Sequence, residues 1–205
     1  MVNTCTSCGF YSTEQLTDKI QHQVICPNCG QARPFHFKNL LILTGPSGSG
    51  KTTILQQLLN RVPKSILLEG DILWNDYYNQ PDTHYLVFFN QLLRFCKNLN
   101  QSDHSVVFAN SGLGVPSNIE QCTESRYFNR FIYLNLTCSE ELLISRLKAR
   151  PAWRNSGDEN ELQNQMNFKK WLDEQHKEHT LDTSGLTIEE TTGKVINWIE
   201  DQTNS

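Results

Sequence analysis

Gly45-Pro46-Ser47-Gly48-Ser49-Gly50-Lys51-Thr52-Thr53 is the stretch that decides the fold of this chain. It matches the pattern G-x4-G-K-[ST], in which glycines let consecutive backbone N–H groups converge on phosphate oxygens. The apolar run 39–44 precedes it and indicates a strand buried on both faces of a parallel sheet. Residues 54–59 follow as a helix opening, whose N-terminus adds partial positive charge. Strand, loop and helix in this order predict a phosphate-binding loop.

Two side chains of this loop have predicted tasks of their own. Lys51 is expected to reach the β- and γ-phosphates of a nucleotide, and the Thr52 hydroxyl to hold the Mg²⁺ that bridges them. The sequence has no Asn-Lys-x-Asp element for guanine, which favours ATP over GTP. The residues expected to bind the nucleotide are Gly45, Pro46, Ser47, Gly48, Ser49, Gly50, Lys51, Thr52 and Thr53.

A second buried strand is predicted over 65–71, and it ends in Asp71. The carboxyl ends of strands form the ligand-binding edge of α/β sheets. Asp71 is therefore a candidate to accept a proton from a substrate hydroxyl or to orient Mg²⁺ through water. The open alternative is that Asp71 caps the next helix. We expect strand alternation to turn the side chain of Glu69 away from the site.

A third strand is predicted over 106–112, after a core-facing helix at 83–96. It carries Asn110 where a magnesium-binding strand of a P-loop protein normally ends in aspartate. Asparagine can hydrogen-bond but carries no charge. We therefore expect the Mg²⁺ shell to rely on Thr52, Asp71 and water.

Basic residues cluster after a predicted fourth strand, 131–136. A capping box at 137–140 predicts a helix that runs through Lys148. Arginines beyond its end can clamp a transferring phosphoryl group, because a guanidinium matches the geometry and charge of its oxygens. The alternative is a solvated basic helix end that complements the helix dipole. The candidate lid residues are Arg146, Arg150 and Arg154.

The last third of the chain predicts two more helices and a strand. Asp158 is expected to cap a helix over 162–172, and a short strand is expected within 179–185. Thr187-Ile188-Glu189-Glu190 is expected to cap a terminal amphipathic helix. Residues 182–185 are the expected contact of the backbone with an adenine edge.

Two CxxC pairs mark a separate N-terminal unit. They are Cys5-Thr6-Ser7-Cys8 and Cys26-Pro27-Asn28-Cys29, and 17 residues separate them. This spacing is typical of a zinc ribbon, in which four thiolates fill a tetrahedral site and leave no open position. A segment of about 35 residues is too short for an adequate core, so the metal would supply most of its folding free energy. The alternative is a redox dithiol. We predict a structural zinc site of Cys5, Cys8, Cys26 and Cys29 in a domain at 1–37, followed by a second domain at 38–205.

Composition excludes several classes of protein. The 205 residues are 38% hydrophobic, with a formal net charge of −4. That charge argues against nonspecific electrostatic binding to nucleic acid or to an anionic membrane. No apolar run approaches the roughly 20 residues of a membrane span, and the N-terminus lacks the features of a signal peptide. We expect a cytoplasmic protein.

With these motifs in order, residues 38–205 resemble the P-loop kinases of small molecules and nucleotides. This group includes nucleoside monophosphate, gluconate, shikimate and adenylylsulfate kinases, and bacterial nucleoside kinase-like ATP-binding proteins that share the Arg-Pro-Ala-Trp-Arg string found here at 150–154. The resemblance rests on the loop at 45–52, the Gly70-Asp71 strand end, the arginine-bearing segment 142–154 and Asp182-Thr183. It implies an α/β fold of three layers, with about five parallel strands flanked by helices beside the small ribbon.

The resemblance also implies an activity, which is Mg²⁺-dependent transfer of the ATP γ-phosphate to a small acceptor, a nucleoside or a nucleotide. Lys51 would stabilise the transferring group, Asp71 would be the base, and the three arginines would form the lid. The ribbon and the missing aspartate depart from the simplest kinases. One alternative is a nucleic-acid-associated NTPase or polynucleotide end-kinase whose ribbon docks RNA or DNA. Another is a ribbon that mediates protein contacts or dimerisation.

Overall fold

The computed structural model describes residues 3–151 and 156–203. The strands are β1 (Leu16–Asp18), β2 (Gln23–Ile25), β3 (Ala32–Pro34), β4 (Leu40–Thr44), β5 (Ser65–Glu69), β6 (Ser105–Ala109), β7 (Phe131–Thr137) and β8 (Thr180–Asp182). The α-helices are α1 (Lys51–Leu58), α2 (Leu86–Leu99), α3 (Pro116–Glu120), α4 (Glu140–Lys148), α5 (Glu159–Gln175) and α6 (Ile188–Thr203).

Five strands form one parallel sheet in the order β5-β6-β4-β7-β8. The central strand β4 aligns Leu40 with Val106 on one side and with Phe131 on the other. All five strands therefore end at the same edge, where the predicted loop begins directly after Thr44. The expected sheet of about five parallel strands flanked by helices is confirmed.

Helices cover both faces of the sheet because the central strand is apolar on both sides. Leu40 and Ile42 pack with Phe88 and other residues of α2, whereas Leu41 and Leu43 pack with residues of α1 and α6. Full burial of such a side chain contributes roughly 1.5–3 kcal/mol. In the described ranges 3–151 and 156–203, no helix combines the length and apolar character needed to cross a membrane.

Helix caps follow the sequence in two places and differ in a third. Asp158 Oδ1 accepts from the backbone N–H of Asn160 at 2.9 Å, and Thr187 and Glu190 form the expected reciprocal capping box. The cap of α4 is Ser139, and the box predicted to begin at Thr137 is wrong. Thr137 is still in β7, so its hydroxyl lies where it donates to Asp173 of α5 instead.

The N-terminal strands form a small antiparallel sheet in the order β1-β2-β3. Val24 of β2 and Phe35, which directly follows β3, pack against Tyr127, about 90 residues further along the chain. The small sheet thus completes its core with a side chain from a distant part of the chain. The boundaries 1–37 and 38–205 stay a prediction; β3 ends at Pro34 and β4 begins at Leu40.

Candidate active site

The loop at 45–53 joins β4 to α1, and its backbone requires glycine at defined points. Gly48 and Gly50 have φ angles of 87° and 101°, in the region that disfavours side chains. A Cβ on Gly45 would lie 2.4 Å from the carbonyl oxygen of Leu136, so the loop passes directly over β7. This close approach fixes the loop at the carboxyl edge of the sheet.

Lys51 folds back onto its own loop. Its Nζ donates to the carbonyl oxygens of Gly45 at 2.8 Å and Pro46 at 3.0 Å. Burial lowers the pKa of the Lys51 ammonium to about 8; the charge of Arg150 lowers it as well, whereas Asp71 and Glu69 raise it. The ammonium therefore lies among charges of both signs, in a site where an added phosphate group would favour its protonated form.

Thr52 contacts an acid that the sequence analysis set aside. Its hydroxyl donates to Oε1 of Glu69, and Glu69 and Asp71 line the same cavity. The expectation that Glu69 points away is therefore wrong. Within the predicted strand 65–71, the two acids are two positions apart, so strand alternation would already have placed them on the same side. That parity was the signal available in the sequence.

Asp71 lies within a short 3₁₀ helix, Gly70–Leu73. The cap position of this helix is Glu69, so the interpretation of Asp71 as its N-cap is wrong. Asp71 instead contributes to the cavity wall.

Asn110 and the residues after it form the adjacent wall. The Oδ1 atom of Asn110 accepts from the backbone N–H of Leu113 at 2.8 Å, and its amide nitrogen lies against Gly70. Ser111 Oγ donates to the carbonyl oxygen of Gly45 at 2.8 Å, which ties this wall to the phosphate loop. Asn110 thus fixes local backbone, and the carboxylates that line the cavity, Glu69 and Asp71, belong to β5 and the 3₁₀ helix after it.

Two of the three candidate lid arginines, Arg146 and Arg150, lie within the described residues. Arg146 donates to the carbonyl oxygen of Gly48 at 3.3 Å, and both Arg146 and Arg150 line the cavity. The interpretation of Arg146 as a solvated helix end does not fit this contact. Arg154 lies outside the described residues.

One cavity of about 620 Å³ joins these groups. Lys51, Thr52, Glu69, Asp71, Arg146 and Arg150 all line it. Thr183, Leu186 and Thr191 also line it, and Thr183 belongs to the stretch expected to meet adenine. Thr183 is held there because its hydroxyl donates to the carbonyl oxygen of Thr137 at 3.0 Å. The sequence offered no specific signal for Leu186 or Thr191.

The four N-terminal cysteines converge. Their sulfur atoms all lie within 4.8 Å of one another, with Sγ–Sγ distances of 3.7 Å for Cys5 and Cys29 and 3.8 Å for Cys8 and Cys26. A tetrahedral Zn²⁺ with bonds of about 2.3 Å would place its sulfur ligands about 3.8 Å apart. Backbone N–H groups of Cys8 and Ser7 lower the pKa of Cys5 to about 6, whereas the side chain of Cys8, burial and the other sulfurs raise the pKa of Cys29 to about 12. The cluster is consistent with a zinc ribbon.

Tyr127 fastens the ribbon to the larger unit. Its hydroxyl accepts from the N–H of Gln15 at 2.8 Å and donates to the carbonyl oxygen of Thr13 at 2.7 Å. Lys97 of α2 lies 4.1 Å from the centre of the Tyr127 ring and pairs with the fully buried Glu124 at 2.6 Å. The ribbon is thereby connected to the helix that covers one face of the sheet.

The sheet order, the loop and the flanking helices define a P-loop kinase fold. Shikimate kinase from Acinetobacter baumannii in complex with shikimate superimposes with a TM-score of 0.55 at 19% identity, covering 80% of this chain and 94% of that one. The tunicamycin resistance protein of Deinococcus radiodurans gives 0.55 at 16% identity, covering 79% and 95%. Thymidylate kinase from Candida albicans gives 0.53 at 18% identity, covering 82% and 93%.

The chain belongs to the AAA domain family, whose model matches residues 41–167. The matched segment contains the phosphate loop, both acidic residues of the cavity and the helix that carries Arg146. A search of curated proteins found no match.

Proposed function

We propose that this protein is an ATP- and Mg²⁺-dependent kinase that phosphorylates a small acceptor, a nucleoside or a nucleotide. The observation that carries the proposal is the cavity that brings Lys51, Glu69, Asp71, Arg146 and Arg150 around the phosphate loop. Phosphoryl transfer needs cations around the moving group and a carboxylate beside the attacking oxygen. The fold shared with shikimate and thymidylate kinases supports the same class of reaction.

The two acids of the cavity suit different tasks. Glu69 contacts Thr52, so this pair supplies hydroxyl and carboxylate oxygens of the kind that bind Mg²⁺. Bound Mg²⁺ would neutralise charge on the β- and γ-phosphates. Asp71 lies two residues further along the wall and would take the proton of the acceptor hydroxyl. The acceptor oxygen then bonds to the γ-phosphorus as the bond from that phosphorus to the β–γ bridging oxygen breaks.

The cations of the cavity would stabilise the charge that moves. Lys51 would exchange its contacts with Gly45 and Pro46 for phosphate oxygens, and phosphate would restore the proton that burial disfavours. Arg146, Arg150 and Arg154 would close on the γ-phosphate from the lid. Fixed donors aimed at such oxygens are commonly worth 10²–10³ in kcat.

The choice of a nucleoside or nucleotide as acceptor follows the resemblance to nucleotide kinases, with which the chain shares its fold. Phe88 and Phe89 belong to the buried core behind the cavity wall and present no face to a ligand. Trp74, three residues after Asp71, meets the Phe88 ring edge-on at 5.0 Å and is partly exposed, so it is the aromatic side chain here that a base could stack on.

We also propose that Cys5, Cys8, Cys26 and Cys29 bind one structural Zn²⁺ per chain. The support is the match of the sulfur distances to a tetrahedral site. Metal analysis of the purified chain, with Cys26→Ser as the comparison, tests this part separately.

The test of the kinase proposal is phosphate gain by mass spectrometry. The full chain is incubated with Mg²⁺ and ATP and a pooled panel of nucleosides, nucleotides, sugars and short oligonucleotides. We expect one small acceptor to gain phosphate with the wild type and with Lys64→Ala, an exposed lysine outside the cavity. Lys51→Ala should lose turnover while its melting temperature is retained.

Full activity of Lys51→Ala would refute the assignment. Phosphate gain on the oligonucleotides alone, or ATP hydrolysis that rises with nucleic acid, would instead support the nucleic-acid alternative.

A further inference from the structure

A side chain of α5 accepts a hydrogen bond from the backbone of the phosphate loop. The backbone N–H of Ser47 donates to Oε1 of Gln165 at 2.9 Å, across 118 positions of sequence. Gln165 lies on α5 and is half-buried. In the described part of the chain, it is the one side chain that accepts a hydrogen bond from an amide of the loop.

The orientation of the Gln165 amide is determined by its two partners. Its Nε2 donates to Oε1 of Glu161, one turn earlier on α5, at 2.9 Å. A carboxylate only accepts and a backbone N–H only donates, so the amide oxygen must face Ser47. Glu161 therefore sets the direction in which Gln165 acts on the loop.

The acceptor in this contact lies outside the cavity lining. Ser47 lines the cavity and Gln165 does not, so Gln165 contacts the loop without occupying the space that the nucleotide phosphates would fill. The contact can persist when the site is filled.

Both α4 and α5 contact the phosphate loop. A Cβ on Gly48 would lie 3.0 Å from Leu143 of α4, and Arg146 of the same helix donates to the Gly48 carbonyl oxygen. Gln165 is the corresponding contact from α5, whose Met166 packs in one cluster with Leu143. The phosphate loop is thus held by side chains of both α4 and α5.

We propose that Gln165 is a positioning residue that braces the phosphate loop through the Ser47 amide, with Glu161 holding its side chain in the active orientation. A loop rich in glycine loses conformational freedom when a nucleotide binds, and a brace removes part of that entropy beforehand. The brace also links the order of the loop to that of α5. The nucleotide part of this inference rests on the proposed function.

The test uses the full zinc-loaded chain and two measurements. The first is the hydrogen-exchange rate of the Ser47 amide by NMR, and the second is the Kd of a non-hydrolysable ATP analogue. We expect Gln165→Ala to raise both about fivefold, which corresponds to about 1 kcal/mol for one hydrogen bond. The matched control is Gln163→Ala, because Gln163 is exposed on the same helix and bonds to Asn167 instead.

A swap of the two side chains separates the brace from simple packing. In Gln165→Glu alone, two carboxylates face each other, so exchange and Kd should rise as in Gln165→Ala. In E161Q/Q165E the carboxylate at 165 accepts from Ser47 and the amide at 161 donates to it. Both quantities should return to within about twofold of the wild type.

Several results would overturn this inference. Unchanged exchange of Ser47 in Gln165→Ala, or no recovery in a swapped variant whose melting temperature is normal, would exclude the brace. Faster exchange with an unchanged Kd would exclude its role in nucleotide binding. If the wild type binds no nucleotide, the proposed kinase function fails, while the exchange rates still decide whether Gln165 holds the loop.

Discussion

Lys97 and Glu124 form a buried ion pair, and we expect the loss of each side chain to have a different effect on stability. Glu124 is fully buried and accepts from Lys97 at 2.6 Å and from Arg94 at 2.7 Å. Lys97 is only 2% exposed. Burial lowers the pKa of Lys97, and the nearby Glu124 carboxylate raises it.

Removal of Glu124 leaves a buried cation without its counter-charge. At an effective dielectric constant of about 20, charges 2.6 Å apart attract by about 6 kcal/mol. Desolvation offsets much of this, and breaking a buried pair by deleting one partner typically costs about 3–5 kcal/mol. We expect Glu124→Ala to lower the free energy of unfolding by about 4 kcal/mol.

Lys97→Met should cost less, because Glu124 keeps Arg94 as its partner. The methionine fills a similar volume, and the main loss is the contact of the ammonium with the Tyr127 ring, about 2 kcal/mol for a desolvated cation. We therefore expect a difference of about 2 kcal/mol between the two variants.

Urea denaturation of the zinc-loaded chain at pH 7 measures both values. The control is Arg61→Ala, which breaks the exposed pair of Arg61 with Glu189 and should cost less than about 1 kcal/mol. A loss below about 1 kcal/mol for Glu124→Ala, or an equal loss for both variants, would refute the reasoning.

Four further predictions concern other parts of the molecule. Because burial lowers the pKa of Lys51 to about 8, the Kd for ATP should rise above pH 8 in the wild type, and calorimetry should show no such rise in Lys51→Met. The wild type should also gain stability relative to that variant as pH rises from about 8 towards 10.5, because the unfolded chain keeps a proton that the folded chain has released. Gly114→Ala should lower the free energy of unfolding in urea by about 2 kcal/mol or more, since its Cβ would lie 2.0 Å from Thr44 Oγ1, and retention of full stability would contradict this close approach. Removal of zinc, or Cys26→Ser, should lower the melting temperature of the whole chain by at least about 5 °C, because the ribbon shares its core with Tyr127; an unchanged main transition would show that the ribbon melts independently.

The parts of the fold that follow from local patterns were predictable. The residues at 45–53 specify a strand, a loop and a helix within a few positions, and the apolar stretches at 40–44 and 131–137 are strands buried among others. The cysteine spacing likewise indicated a cluster that the sulfur positions match. In each case the physical cause lies within the segment itself or in the spacing of its residues.

Contacts between distant segments were not predictable in this way. The bond of Ser47 to Gln165 and the clamp of Tyr127 on the ribbon each join residues more than 100 positions apart. A glutamine on a polar helix face and an isolated tyrosine carry no pattern that indicates their partners. Glu69 is different, because a correct count of strand parity would have placed its side chain with that of Asp71.

Because the ribbon shares its core with Tyr127, the core of the ribbon cannot be completed until Tyr127 has been synthesised. All four cysteines emerge before Tyr127, because they precede it in the chain. Tyr127, which closes the core around Val24 and Phe35, emerges roughly 100 residues later, which at about 5–20 residues per second is a delay of about 5–20 s. During that interval the proposed Zn²⁺ would be the main source of order in the N-terminal segment. We therefore expect the yield of folded chain to depend more on the zinc available during synthesis than on zinc added to the finished protein.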